Sequence, residues 1–293
     1  SYGRAIREVI RFKSSIAFLK MLERYFQYAI EHLFLFEDIV FNEQTLLTAK
    51  DLSQLFHHDF SGMTPAARLK RMETRINDLI KPLKRQQQRQ KANELLEGDG
   101  YLSTREAQAL SKLKLRKELE PLNKQIERMF SVGALTLYRR LFEDDTAWNA
   151  CMADQDSLEC SIVRAVRSYT LENINNGIIA FEDAGPILYL SLMLGETMPD
   201  MTVKHLIVDE AQDYSPLQMK GLARLFPSTG ITILGDMNQN ISPYATGGGL
   251  DDIARLISPD DYEFMQLNKS YRSTLEINRF AAGFLNMPEG EYF

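Results

Sequence analysis

Apolar residues recur at helical spacing from residue 5 to about 35, where leucines and aromatics return every three or four positions without glycine or proline. The pattern predicts one long amphipathic helix there and a second over residues 45–58. Thr64-Pro65 then supplies an N-cap followed by proline at the first helical position. Behind it Leu69, Met72, Ile76, Leu79 and Leu83 advance by alternating steps of three and four, a short heptad seam. The run "EGDGY" at 97–101 breaks the pattern, and Ser103 with Glu106 forms a capping box for the next helix. There Leu115, Leu119, Leu122, Ile126 and Met129 repeat the seam spacing. Two such helices joined by a tight turn predict an antiparallel hairpin arm over about residues 64–130. Pro82 and Pro121 each remove a backbone donor and are expected to kink or interrupt it. Gln86 and Gln90 fall on the extrapolated seam, so loose pairing is expected toward the tip.

After Glu143 the pattern changes. A helix is predicted over residues 158–173 and another after "FEDAG" at 181–185, with Pro186 near its first turn. From there short apolar runs alternate with helices. "HLIVDE", "GITILGD" at 230–236 and "YEFMQL" at 262–267 read as strands, and 216–226, 250–257 and 274–285 as helices. Strand–helix alternation at this spacing predicts a parallel sheet with covered faces, and the nearly continuous apolar strands agree. Ligands in such sheets gather at the carboxyl ends of the strands.

Charge divides the chain in the same place. The net charge is −6. Residues 1–142 carry 25 Lys+Arg against 17 Asp+Glu, and residues 143–293 carry 9 against 23. The first arm helix is strongly basic, with Arg68, Lys70, Arg71, Arg75, Lys81, Lys84, Arg85, Arg89 and Lys91 against Glu73 and Asp78. Such a face fits a nucleic acid or an acidic protein. It also fits the solvated side of a surface helix, because few aromatics are interleaved for stacking on bases. No apolar run approaches the roughly 18 residues of a membrane span, and no signal peptide opens the chain. Cys151 and Cys160 read as reduced thiols of a cytoplasmic protein, and His57-His58 as a helix end rather than a metal pair.

The chemistry sits at the predicted strand ends. Asp209 and Glu210 follow "LIV" directly. Adjacent acids in that position can divide two roles, one holding Mg²⁺ and the other accepting a proton from an attacking water. The next strand ends in Gly235-Asp236 and leads to Gln239, whose amide can bond a water and a phosphoryl oxygen together. The third leads into "LNKSYRST", where Arg272 offers a guanidinium fork for phosphate and Tyr271 a flat face for a base.

Together "IVDEAQD", "ILGDMNQNI" and "LNKSYRST" resemble motifs II, III and IV of superfamily 1 helicases of the UvrD/Rep type. The spelling and the long helical stretch look most like the HelD (helicase IV-like) branch. The motif resemblance covers about residues 179–285. It implies an α/β fold: a partial RecA-like, P-loop NTPase parallel-sheet domain with a large all-α inserted domain bearing the hairpin arm. Residues 1–175 would be the insertion and 176–293 the end of the first RecA-like domain. By resemblance Asp209 is the Mg²⁺ ligand, Glu210 the catalytic base and Gln239 the couple between γ-phosphate and DNA. Arg272 would touch the γ-phosphate, Tyr271 pack beside the adenine and Asp236 line the nucleotide site. The implied cofactors are ATP and Mg²⁺, and the implied partner is single-stranded or forked DNA. The alternative is a HelD-like factor that enters RNA polymerase with its arm and is reset by ATP hydrolysis. Asn240 stands where the family usually has serine, and Tyr244 falls later than the family's tyrosine. None of the 16 glycines is followed by lysine, so the phosphate-cradling G-x-x-x-x-G-K-[ST] loop is not in this sequence. The expectation is an internal slice of a larger motor, inactive toward ATP by itself.

Overall fold

A computed structural model describes residues 2–98, 103–152, 160–236, 249–259, 261–267 and 273–284. The chain forms two compact units, one of residues 1–19 with 199–293 and the other of residues 20–198.

The expected first helix is two. Helix α1 (Tyr2–Lys13) and helix α2 (Ile16–His32) are divided at Ser14-Ser15. The Ser15 hydroxyl donates to the Phe12 carbonyl at 2.6 Å and accepts from the Phe18 N–H at 3.1 Å. Serine thus competes with the helical ladder for its backbone partners, a tendency that apolar periodicity does not register.

In the second unit, the helix expected over 45–58 is replaced in its first part by a hairpin. Strands β1 (Ile39–Phe41) and β2 (Gln44–Leu47) pair antiparallel around Asn42 and Glu43, both left-handed at φ 48° and 64°. Ile39 and Phe41 point inward and Val40 outward, the period of two that a half-buried strand requires. Helix α3 (Ala49–Gln54) follows, capped reciprocally by Thr48 and Asp51, and runs into a π-helical turn over Leu55–Asp59. His57 and His58 lie in that turn, as a helix end. The Arg68 guanidinium serves three nearby carbonyls, those of Met63, Phe56 and Ser61, at 2.9, 3.2 and 2.6 Å.

The arm is present. Helix α4 (Pro65–Gly98) packs against α5 (Thr104–Glu118) and α6 (Glu120–Phe130). Helix α5 carries the expected Ser103–Glu106 capping box. Its turn at 99–102 lies outside the described residues. Two expectations change. Pro82 does not end α4; it is exposed, so the carbonyl deprived of its donor faces water. Pro121 does divide α5 from α6, in a first turn where its missing N–H costs little. The buried face also drifts: Leu69, Met72 and Ile76 are followed inward by Ile80, at 1% exposure, and not by Leu79 at 40%. A straight helix turns away from a strict 3.5-residue repeat, and here the drift is visible within three turns. Gln87 rather than Gln86 or Gln90 therefore points inward, donating to Asn42 Oδ1 at 3.1 Å. Toward the tip, buried Ala92, Ala107 and Ser111 continue the seam with small side chains instead of loosening it.

Helices α7 (Ala134–Glu143), α8 (Asp145–Met152), α9 (Cys160–Asn175) and α10 (Phe181–Leu194) complete this unit. Pro186 lies within α10 rather than at its start. Cys151 is free and buried, and burial pushes its thiol up to about 11. Three buried tyrosines tie distant segments: Tyr25 to the Leu137 carbonyl at 2.7 Å, Tyr138 to Asp183 Oδ1 at 2.5 Å, and Tyr189 to Glu23 Oε1 at 2.7 Å. Helix α10 ends at Gly195, left-handed at φ +79°, where a Cβ would lie 2.3 Å from Thr64 Oγ1 at the root of the arm. The other root is held by Glu196, which accepts from the Ala134 N–H at 3.2 Å.

In the first unit, strands β3 (His205–Val208) and β4 (Gly230–Ile233) pair parallel, in the register Val208 opposite Ile233. Helices α11 (Pro216–Leu225) and α12 (Leu250–Ile257) contribute to a core of Val208, Ala211, Met219 and Ile253. The α/β class and the parallel pairing thus stand beside a large helical part. Residues 262–267 are exposed and are not a strand. An apolar run becomes a strand only beside a ladder partner, and among the described residues none lies alongside it. Helix α13 (Leu275–Ala282) forms as expected. Among the described residues no helix is long and apolar enough to cross a membrane.

Burial drives the Tyr25 phenol well above its ordinary value, with Arg140 opposing. A raised folded-state pKa contributes stability that is intact below the unfolded value near ~10 and is lost as pH rises beyond it. Thermal unfolding of the chain between pH 8 and 11 is expected to show a falling midpoint above pH ~10. Tyr25→Phe should cost about 1 kcal/mol at neutral pH and flatten the alkaline fall.

Candidate functional site

The site grows from the end of β3. Leu206 and Val208 face the core, and the next two residues are exposed acids, Asp209 and Glu210. Glu210 is left-handed, at φ 50° and ψ 44°. That conformation, uncommon for a residue with a Cβ, turns the chain sharply into a 3₁₀ turn over Ala211–Asp213. The turn folds back beside the end of β4: the Leu234 N–H donates to the Val208 carbonyl, and the Ala211 N–H to the Leu234 carbonyl, both at 2.8 Å. Ser215 and Gln218 then form a capping box that starts α11, with Pro216 at its first position.

Hydrogen bonds organise the polar groups at the two strand tips. Asp209 Oδ1 accepts from the Glu210 N–H at 2.9 Å. Glu210 Oε2 accepts from Gln212 Nε2 at 2.7 Å, and Gln212 Oε1 accepts from the Asp236 N–H at 3.1 Å. Gln212 is 3% exposed, between acids that face solvent. Gly235 lies so near that a Cβ there would meet Gln212 Oε1 at 2.7 Å and the Ala211 nitrogen at 3.2 Å. The tips of β3 and β4 therefore form one hydrogen-bonded platform with carboxylates on its open side.

Of the residues singled out in the sequence, Asp209 and Glu210 are adjacent at the tip of β3, and Asp236 is linked to Glu210 by its backbone N–H through Gln212. Gln239, Tyr271 and Arg272 lie outside the described residues, as do Asn240 and Tyr244. Gln212 was not singled out. Its signal was available: an amide two positions beyond Glu210, inside the same motif. Its role depends on β4 lying alongside, which no local pattern states.

Among the described residues no three His, Cys, Asp or Glu side chains gather as a metal cage. Mg²⁺ carried by a triphosphate does not need one, since one or two carboxylates with phosphate oxygens and water complete its octahedron. An exposed Asp209, held at one oxygen by a backbone N–H, is a donor suited to that arrangement.

The arm offers a second surface. Lys70, Arg71, Arg75, Lys81, Arg85 and Arg89 are exposed. Lys91 pairs with Glu118 at 2.8 Å and Lys84 contacts Asn123 at 3.4 Å. Arg68 turns toward backbone carbonyls and the Phe56 ring. The basic run is thus partly structural and mostly outward. In contrast the two acids of "FED" turn inward, with Glu182 and Asp183 buried while Phe181 is exposed. Burial first, and then the neighbouring Asp183 carboxylate, raise the Tyr138 phenol well above its ordinary value.

Compared with known protein families, the chain matches the UvrD/REP helicase N-terminal domain over residues 19–245, more than half of its length. The match includes both strand tips and α4–α6, and stops before Tyr271 and Arg272. No curated protein matches the chain closely enough to count as a relative.

Gly235→Ala is expected to force β4 away from Gln212 and destabilise the chain by about 1–3 kcal/mol, the usual cost of overpacking. A denaturant midpoint equal to that of the unsubstituted chain would contradict the close approach.

Proposed function

The chain belongs to the UvrD/REP helicase family, and from that we propose that the protein carrying it is an ATP-dependent superfamily 1 DNA helicase or translocase, closest to the HelD branch. The observation that supports this most is the acid pair Asp209–Glu210 at the tip of β3, hydrogen-bonded through Gln212 to the tip of β4.

In this reading residues 176–293 end the first RecA-like domain and residues 1–175 are its helical insertion. A phosphate-holding loop and a second RecA-like domain come from further segments of the same protein, and the 293-residue chain alone is inactive toward ATP. Asp209 holds the Mg²⁺ that, when bound, neutralises the phosphate charge. Glu210 accepts a proton from the attacking water as that oxygen bonds to the γ-phosphorus. The bond from the γ-phosphorus to the bridging oxygen breaks, and ADP leaves with its electron pair. Asp236 lines the nucleotide site, Gln239 couples the γ-phosphate to DNA binding, Arg272 contacts that phosphate and Tyr271 packs beside the adenine. ATP and nucleic acid as substrates make the cytoplasm the compartment.

The exposed cations of α4 bind the phosphate backbone of single-stranded or forked DNA. The length of that helix, 34 residues, also favours a second reading, in which the arm enters RNA polymerase and ATP turnover resets it.

Two measurements test the proposal. In the full-length protein, Glu210→Gln is expected to lower DNA-stimulated ATP turnover by at least about 100-fold while nucleotide still binds. Undiminished turnover would refute the assignment. Replacing Lys81, Arg85 and Arg89 together with alanine should weaken DNA binding and reduce the slope of log K against log salt by about 2–3. An unchanged slope, with retention on core RNA polymerase lost when the arm is deleted, would favour the polymerase reading.

A further inference from the structure

We propose that Gln212 is a positioning residue for hydrolysis: it orients the Glu210 carboxylate and makes that orientation depend on the end of β4. The inference rests on the role proposed above for Glu210.

A buried amide has two N–H donors and a carbonyl acceptor, and burial is costly unless they are used. Gln212 uses both ends. Its partners also fix which end is which, because a carboxylate only accepts and a backbone N–H only donates. Nε2 must therefore face Glu210 Oε2, at 2.7 Å, and Oε1 must face the Asp236 N–H, at 3.1 Å. The first is a charge-assisted bond, the stronger kind, and it leaves Oε1 of Glu210 to the open side of the platform.

Two further features make this more than a packing contact. Glu210 is left-handed at φ 50°, a conformation that L residues keep only where the surroundings hold them. The bond from Gln212 closes a short ring around that residue and fixes its side chain as well as its backbone. On the other side, Gly235 presses against the same amide, with room for no Cβ. A displacement of the β4 tip moves the Gln212 carbonyl, and the amide is rigid, so its nitrogen moves as well.

The test uses the full-length protein with saturating single-stranded DNA. Turnover and the KM for ATP are compared among the unsubstituted protein, Gln212→Ala, Gln212→Glu, Glu210→Gln and the Glu210→Gln/Gln212→Ala double variant. Gln212→Ala should lower kcat about 10- to 100-fold, the usual loss when a supporting partner is removed, with KM for ATP unchanged. It should add nothing in the Glu210→Gln background, because the two residues act as a unit. Gln212→Glu keeps the shape and the acceptor for Asp236 but sets a carboxylate against Glu210. Its kcat should therefore fall at least as far as in Gln212→Ala, again with the KM for ATP unchanged. That isosteric variant carries the test if Gln212→Ala does not fold. Losses that multiply in the double variant, a change confined to KM, or an undiminished kcat in Gln212→Glu would each overturn the proposal. If Glu210→Gln leaves turnover intact, the role of Glu210 fails and this inference fails with it. If Glu210→Gln is inactive and Gln212→Ala is normal, only the role of Gln212 is lost.

Discussion

The parallel pairing of β3 with β4 is the constraint on which the candidate site depends. Its ladder continues past the strands through the bonds from Leu234 to Val208 and from Ala211 to Leu234. That extension brings the turn after Glu210 beneath the end of β4 and lets Gln212 reach both tips. Because parallel strands need a crossover between them, the two tips are far apart in sequence and adjacent in space. Asp209 and Glu210 on one segment and the Asp236 N–H on the other are thus linked through Gln212 and do not depend on loop conformation alone.

The helical unit is held by a different kind of restraint. Tyr25, Tyr138 and Tyr189 each bury a ring and pass a hydroxyl to a partner far along the chain. Both roots of the arm meet the end of α10, Thr64 against Gly195 and Ala134 against Glu196. Between these fixed roots, the 34-residue helix α4 runs on through Pro82 without a break. Its outward cations carry the electrostatics, while Arg68, Lys84 and Lys91 are partly occupied with intramolecular contacts. A charge count along the sequence therefore overstates the surface available to a polyanion.

Much of this was legible in the residues because it is locally encoded. Capping at Ser103–Glu106, the start of α4 at Pro65, the division at Pro121 and the apolar face from Leu115 to Met129 all follow from short-range patterns. The expectations that changed had a competing local interaction or a missing neighbour. Ser15 divided a periodic helix with its hydroxyl, and Asn42-Glu43 turned a stretch adjoining an expected helix into a hairpin. Helical drift exchanged Leu79 for Ile80 on the seam. The run 262–267 had the composition of a strand and no edge to join among the described residues.

The sequence by itself determined the charge asymmetry between its two halves, the arm, and the place of Asp209 and Glu210 at the end of a strand; it did not determine that strand's burial, since Ile207 is exposed. Periodicity, capping and the order of apolar runs are properties of neighbours along the chain, so they can be read from it. Tertiary structure alone decided that Gln212 joins Glu210 to Asp236, that Gly235 admits no side chain, and that Glu182 and Asp183 turn inward. Each depends on which distant segment comes to lie alongside, and a hydrogen bond between segments exists only once both are in place.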